Sequence, residues 1–272
     1  MPDDRSVVFD TYSRMAAKYD DEGNVNSCWW QHTDKNVRSI HLKANYGVVA
    51  DIGCGTGAQL FQLVRTVPST VQFVGVEPAE AMRQRAVELN KDLPNVRILA
   101  GAWEQLPLDT GTVDYMYSIN SFHWCADPAK GVAEARRVMR SGGEMDHYFI
   151  GRDIGREFIR ATTPIFMKYM GPKRLLEAAR MRTQFTKDEA YAFWSGRLGK
   201  ATVEVDEVYD TYYDTVEGHL GWWVRIEPQL LAIPGGKKEA CERDIKAALA
   251  ALDTGRGVPY TMHQIHVRAR LA

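Results

Sequence analysis

A short apolar run, Val48 to Ile52, gives way to a loop in which alternate residues are glycine: Asp51-Ile52-Gly53-Cys54-Gly55-Thr56-Gly57. A segment with helical apolar spacing, Leu60, Phe61 and Val64, follows it. Glycine at this density is needed where the backbone takes a positive φ or must touch a ligand with no side chain between. A strand that passes into a helix through such a loop is expected to present its amide N–H groups to an anionic group. In an open parallel sheet this carboxyl edge is where ligands bind. One loop therefore constrains both the architecture and the place of the site.

The flanking sequence repeats the strand-and-helix rhythm. Val71 to Val76, Val96 to Ala100, Val113 to Ile119 and Glu144 to Ile150 read as further strands, separated by helical segments. Val132, Ala135 and Met139 share a helical face, and Ser141-Gly142-Gly143 is expected to stop that helix. Strands joined by helices of this length imply crossover units and a mostly parallel, buried sheet. Residues 151–200 show no clear strand and read as a helical insertion, a lid over the sheet edge. Thr202 to Val208 and His263 to Leu271 then alternate with period two, with a helical stripe of Cys241, Ile245, Leu249 and Leu252 between them. The chain divides into 1–150, N-terminal helices and core; 151–200, lid; and 201–272, last strands and helix completing the sheet. At the front, Val8, Tyr12, Met15 and Tyr19 fall on one helical face.

Composition excludes several classes. With 34 basic and 35 acidic residues in 272, the formal charge is -1, and no basic footprint for a nucleic acid is present. The four cysteines show neither a CxxC pair nor zinc spacing, so neither a resident metal nor a secreted disulfide framework is expected. No apolar stretch is long enough to span a bilayer, and no signal-peptide pattern opens the chain. The expectation is a cytoplasmic monomer or homodimer that acts on a small molecule, without nucleic-acid or membrane partners.

The glycine loop alone is ambiguous, because Gly53, Gly55 and Ala58 also satisfy the dinucleotide pattern, with Glu77 placed to bind ribose hydroxyls in either case. The stretches around it are more specific. Asp51-x-Gly53-x-Gly55-x-Gly57, Val74-Gly75-Val76-Glu77-Pro78 with Met82, Gly101-Ala102-Trp103-Glu104-Gln105-Leu106-Pro107, Asp114 through Asn120 to Phe122-His123-Trp124, and Glu134 to Gly143 occur in order. Together with Phe9-Asp10-x-Tyr12 to Tyr19-Asp20, residues 9–150 resemble the S-adenosylmethionine-dependent methyltransferases of the seven-stranded Rossmann-like class, in their small-molecule branch, type 11-like. Residues 151–260 carry little of the resemblance.

The resemblance implies a three-layer α/β fold with strand order 3-2-1-4-5-7-6 and S-adenosylmethionine as cofactor. It places the backbone of Gly53, Gly55 and Gly57 against the methionine moiety and Asp51 near its ammonium. Glu77, with Pro78 and Met82 beside it, would take the ribose hydroxyls, since a carboxylate is a bidentate acceptor. Ala102, Trp103 and Glu104 would line the adenine, with Ala102 standing where many relatives have a carboxylate or hydroxyl. Ser118 and Asn120 would flank the methionine tail, and Tyr12 and Tyr19 would close the site.

Transfer from a methyl sulfonium is an in-line displacement, so alignment is the main demand on the protein. His123, just past the fourth strand, is the candidate catalytic residue, as a base or as a group that orients the acceptor. His147 reads as core. Trp29, Trp30, Phe166, Tyr169, Trp194 and Trp223 are candidate substrate residues for an O, N or C acceptor on an apolar or aromatic metabolite. Two alternatives remain open at this point: an enzyme that binds S-adenosylmethionine without transferring methyl, and an NAD-dependent oxidoreductase.

Overall fold

The computed structural model describes residues 6–221 and 233–272. Its seven strands form one sheet: β1 (Val48–Ile52), β2 (Gln72–Val76), β3 (Val96–Leu99), β4 (Val113–Ile119), β5 (Met139–Ile150), β6 (Ala201–Asp214) and β7 (Val258–Leu271). The spatial order is β3-β2-β1-β4-β5-β7-β6, as the resemblance implies. The first five strands pair in parallel, and β7 runs antiparallel between β5 and β6.

Period-two alternation sorts the sheet residues to two cores. Val49, Phe73, Tyr115 and Tyr117 face α3 (Cys28–Ser39) and α4 (Ala58–Leu63), where they meet Val37, Leu60 and Leu63. Ala50, Ile52, Val74 and Met116 face the other way. There they pack with Val132, Ala135 and Val138 of α6 (Pro128–Val138) and with Trp194 and Leu198 of α8 (Lys187–Leu198). The crossover after β2 is α5 (Glu80–Asn90). The N-terminal segment adds α1 (Ser6–Met15) and the short α2 (Glu22–Val25).

Two boundaries differ from expectation. α6 ends at Val138, before the glycines, and β5 begins at Met139, paired with Val113. The strand passes Gly142 and Gly143 through an irregularity: its register with β4 shifts between Val113↔Met139 and Tyr115↔Glu144, and Gly142 takes φ 75°. β6 and β7 pair without interruption from Ala201↔Leu271 to Asp214↔Val258, well beyond the alternating stretches.

Residues 151–200 are helical but do not make a simple flap. α7 (Arg156–Ala179) is broken at Gly171, where φ is 79° and Pro172 follows. It packs with α9 (Lys238–Ala250) through a core of Ile154, Phe158, Phe166, Cys241, Ile245 and Leu249. α8 is a regular layer of the domain, started by a capping box of Thr186 and Glu189. Among the described residues no helix is long and apolar enough to cross a membrane, and no group of three or more His, Cys, Asp or Glu side chains could hold a metal ion. All four cysteines are buried thiols.

Trp194 is fully buried, stacked on His147 at 5.0 Å and tilted against Phe122 at 4.8 Å between ring centroids. Trp194→Ala should therefore cost about 3–5 kcal/mol of stability, read from a urea midpoint. A variant of unchanged midpoint that had lost ligand binding would return Trp194 to the site.

Candidate functional site

The tips of β1, β2 and β4 open into the main cavity, which α1 and α3 cover from the N-terminal side. Two carboxylates define its floor. Asp51 is the penultimate residue of β1 and Glu77 follows β2, and both are buried. Burial pushes Asp51 up to about 7, with a further push from Glu77, against the partial relief of Tyr117. Glu77 is likewise raised to about 7 by burial, although amides of Ala79 and Gly55 and the Arg83 guanidinium oppose the rise.

The glycine loop is wired inward. The amides of Gly53 and Cys54 donate to the Val76 carbonyl at 2.7 and 3.1 Å, and Gly57 donates to the Cys54 carbonyl at 2.9 Å. Gly55 donates to Glu77 Oε2 at 2.9 Å, and Ala79 gives Oε1 its second partner at 2.8 Å. The expectation of a loop whose amides await an anion is therefore corrected. These amides are spent on β2 and on Glu77, and the cavity floor is acidic. A dinucleotide pyrophosphate would meet carboxylates here. A sulfonium or ammonium, with ribose hydroxyls, meets acceptors: a carboxylate has roughly four lone-pair sites, and Glu77 has used two.

Glycine is required at Gly53 and Gly57 for different reasons. Gly53 has φ 78°, and a Cβ would fall 2.3 Å from Ser121 Oγ. Gly57, with φ 76°, starts α4, and a Cβ would strike Asn90 Nδ2 at 2.6 Å. Gly57 is thus a helix-packing residue and does not line the cavity. Ser118 is corrected in the same way: its hydroxyl is buried and donates to the Ile52 carbonyl at 2.7 Å, behind the cavity wall.

The remaining expected cofactor positions line the cavity together: Tyr12, Tyr19, Gly53, Gly55, Pro78, Met82, Ala102, Trp103, Glu104 and Asn120. Tyr12 and Tyr19 sit 6.2 Å apart, and Tyr12 meets Trp124 edge-on at 6.2 Å, with Trp124 Nε1 donating to the Tyr12 hydroxyl. Burial and nearby acids hold the Tyr19 phenol protonated. Trp103 Nε1 donates to Ser121 Oγ at 2.7 Å. Glu104 Oε1 accepts from the amides of Ala126 and Asp127, which fixes the loop after β4. Asn120 takes φ 56°, unusual outside glycine, with Nδ2 donating to Thr33 Oγ1 at 3.1 Å.

His123 also lines the cavity, and its Nδ1 is buried without a partner among the described residues. Burial and the neighbouring Arg182 guanidinium hold its ring well below the ordinary histidine value, so it is neutral. His147 is core, as expected, driven to about 3 by burial between aromatic rings.

Of the candidate substrate residues, Trp29 and Trp30 line the cavity. Phe166, Tyr169 and Trp194 do not. Phe166 fills the α7–α9 core, Tyr169 donates to Asp244 Oδ2 at 2.8 Å, and Trp194 lies beneath the sheet, because an insertion rich in aromatics needs them for its own packing. Trp223 lies outside the described residues. The sequence pattern did not single out Asn24, Thr33, Ser121, Ile150 or Arg182, which also line the cavity. Arg182 is the only residue of 151–200 to reach it among the described residues.

The raised carboxylates carry a signed pH dependence. The folded state prefers them protonated, so their contribution to stability is full below their ordinary values of 3.8 and 4.5 and is lost as pH rises through about 7. Glu77→Gln should therefore gain on the parent by up to about 1.4 kcal/mol per pH unit between pH 4.5 and 7, read as the difference in urea stability without ligand. A pH-independent difference would remove the assigned burial.

A family model described as "Methyltransferase domain" matches residues 50–145. The chain is 30% identical over 223 residues to the malonyl-[acyl-carrier protein] O-methyltransferase of Geobacter sulfurreducens, covering 79% of this chain and 76% of that one. It is 24% identical over 216 residues to the chloroplastic 2-methyl-6-phytyl-1,4-hydroquinone methyltransferase of Spinacia oleracea, covering 79% and 57%. The chain spans between 32% and 57% of the length of the first curated relatives it matches. Among solved structures, the YcgJ protein of Bacillus subtilis aligns with a TM-score of 0.61 at 17% identity, over 89% of this chain and 98% of that one, and shares the fold. Motif order, strand order and a relative matched over three quarters of its length agree, and the chain belongs to the S-adenosylmethionine-dependent methyltransferase family, type 11-like.

Proposed function

We infer that this protein transfers a methyl group from S-adenosylmethionine to an oxygen, nitrogen or carbon acceptor on a small, apolar or aromatic metabolite. The observation that carries this is the pair of buried carboxylates, Asp51 and Glu77, below a loop whose amides are already spent. Glu77 accepts the two ribose hydroxyls, and Asp51 stands toward the ammonium. The backbone from Gly53 to Gly55 and the side chain of Asn120 border the methionine moiety. Pro78, Met82, Ala102, Trp103 and Glu104 border the nucleoside, and Tyr12 and Tyr19 close over it.

S-adenosylmethionine supplies a methyl group already activated for displacement. The protein holds an acceptor in line with it, and positioning of this kind is worth on the order of 7–11 kcal/mol. Trp29 and Trp30 offer aromatic faces suited to an apolar body and to a nearby cation. His123 is the catalytic residue of this reading, and its suppressed basicity favours orienting the acceptor over removing its proton. The relatives named for a hydroquinone and for a malonyl group on a carrier protein support an acceptor of this kind.

The test is direct. S-adenosylhomocysteine should raise the melting temperature and NAD should not. Gly55→Arg, which fills the loop and costs about 1–2 kcal/mol of backbone strain, should abolish that shift while leaving the circular dichroism unchanged. A shift with NAD alone would move the chain to the oxidoreductases. Turnover of an acceptor without one equivalent of S-adenosylhomocysteine would make it a non-methylating enzyme.

A further inference from the structure

The walls of the cavity are fastened in two different ways. The turn after α7 is tied to the turn after β4 by main chain, where the amide of Thr183 donates to the His123 carbonyl at 2.8 Å. The N-terminal wall has no such tie. Residues 16–27 run through one 3-10 turn (Ala16–Lys18), a bend and the four-residue α2. Among the described residues, the backbone hydrogen bonds of this stretch stay within it or pass to the flanking α1 and α3, and none reaches the sheet or the glycine loop. Yet the stretch supplies Tyr19 and Asn24 to the cavity, and α1 before it supplies Val8, Phe9 and Tyr12. A wall of this kind is held down by its side chains.

At one end the hold is apolar, with Ala16 packed among Ala79 and Met82. At the other it is polar, and it reaches the glycine loop. Asp20 Oδ1 accepts from Thr56 Oγ1 at 3.0 Å, and Arg85 of α5 brings its guanidinium to 3.6 Å from Oδ2. Thr56 is buried between Gly55 and Gly57, and the amide of Gly55 binds Glu77. One carboxylate therefore joins the N-terminal stretch, the glycine loop and α5. Its side chain is only 25% exposed, so its hydrogen bond is partly shielded from competing water. Asn24 Nδ2 donates to the Tyr19 carbonyl, and its amide donates to Asp21 Oδ1 at 3.1 Å, which closes residues 19–24 into one turn. Asp20 itself does not line the cavity. It acts on a ligand through Tyr19 and Asn24 on one side and through Thr56 on the other.

Resting on the methyltransferase reading above, we propose that Asp20 is a positioning residue for the cofactor, a latch that holds the turn of Tyr19 and Asn24 down on the glycine loop, and that its release limits the departure of S-adenosylhomocysteine. The demethylated product keeps its ribose and its methionine tail, so it stays on the same floor until the turn above it lifts. Covering segments set the release rate in many enzymes, and changes within one site appear mostly in dissociation. The shielded bond from Thr56 to a carboxylate carries more of the hold than the outward pair with Arg85.

The experiment uses the full chain and tritiated S-adenosylhomocysteine, whose dissociation is followed after a chase of excess unlabelled ligand. Asp20→Ala should speed dissociation by about tenfold, the effect of one charge-assisted hydrogen bond. Asp20→Asn keeps an oxygen for the Thr56 hydroxyl and gives up the charge, so its rate should fall between those of Asp20→Ala and the parent. Thr56→Val should repeat most of the Asp20→Ala effect, and it keeps the test open if the Asp20 variants do not fold. The double variant should dissociate no faster than Asp20→Ala alone, because both changes remove one bond. A purely structural part for Asp20 would lower the ligand-free melting temperature and leave dissociation as in the parent, and that result overturns the proposal. So do a Thr56→Val rate equal to the parent's and effects of the two substitutions that multiply. If the parent does not bind S-adenosylhomocysteine at all, the underlying methyltransferase reading falls instead.

Discussion

The placement of two carboxylates out of water, at the tips of neighbouring parallel strands, governs the rest of the site. Asp51 pairs with Gly75 and Ile52 with Val76, and Glu77 follows at once, so the two carboxylates stand near the ends of adjacent strands. Such groups are tolerated only where hydrogen bonds or protons compensate them. The loop supplies that compensation from its own backbone: Gly55 and Ala79 bind Glu77, while Gly53 and Cys54 bind Val76. What remains is an acidic floor whose chemistry matches a cation and a pair of hydroxyls.

The cover of the cavity is built with equal economy. α3 is anchored to the antiparallel pair β6 and β7 by His32, which meets Tyr212 at 3.1 Å and Gln264 at 2.9 Å while fully buried. Burial favours the neutral imidazole, in which Nε2–H donates to Gln264 Oε1 and Nδ1 accepts from the Tyr212 hydroxyl, so that it acts as a rivet. Ser39 at the other end of the same helix bonds Tyr148 of β5 at 2.8 Å. Trp29, Trp30 and Thr33 therefore reach the cavity from a helix held at both ends.

Much of this was legible in the linear sequence, for physical reasons that differ by residue. Strands buried on both faces read as continuous apolar runs, so β1, β2 and β4 stood out, and the order of motifs implied the order of strands. Asp51, Glu77 and Ala102 to Glu104 were legible because a carboxylate or a loop beside a glycine turn has few other uses. Gly57 and Ser118 misled, since helix packing and ligand contact demand the same small residues. Phe166 and Trp194 misled because aromatic excess marks a pocket and a minor core alike. Arg182 was silent. It stands in a turn with no motif, and its position depends on a hydrogen bond between segments about 60 residues apart, which no local pattern encodes.

The tie between Thr183 and the His123 carbonyl uses only main-chain atoms on both sides. It is blind to the side chain one position earlier. Exchange of residue 182 would leave that main-chain tie in place, while removing the guanidinium packed on the Trp124 ring. The turn that carries this half-buried cavity residue is thus held in place independently of the side chain it presents.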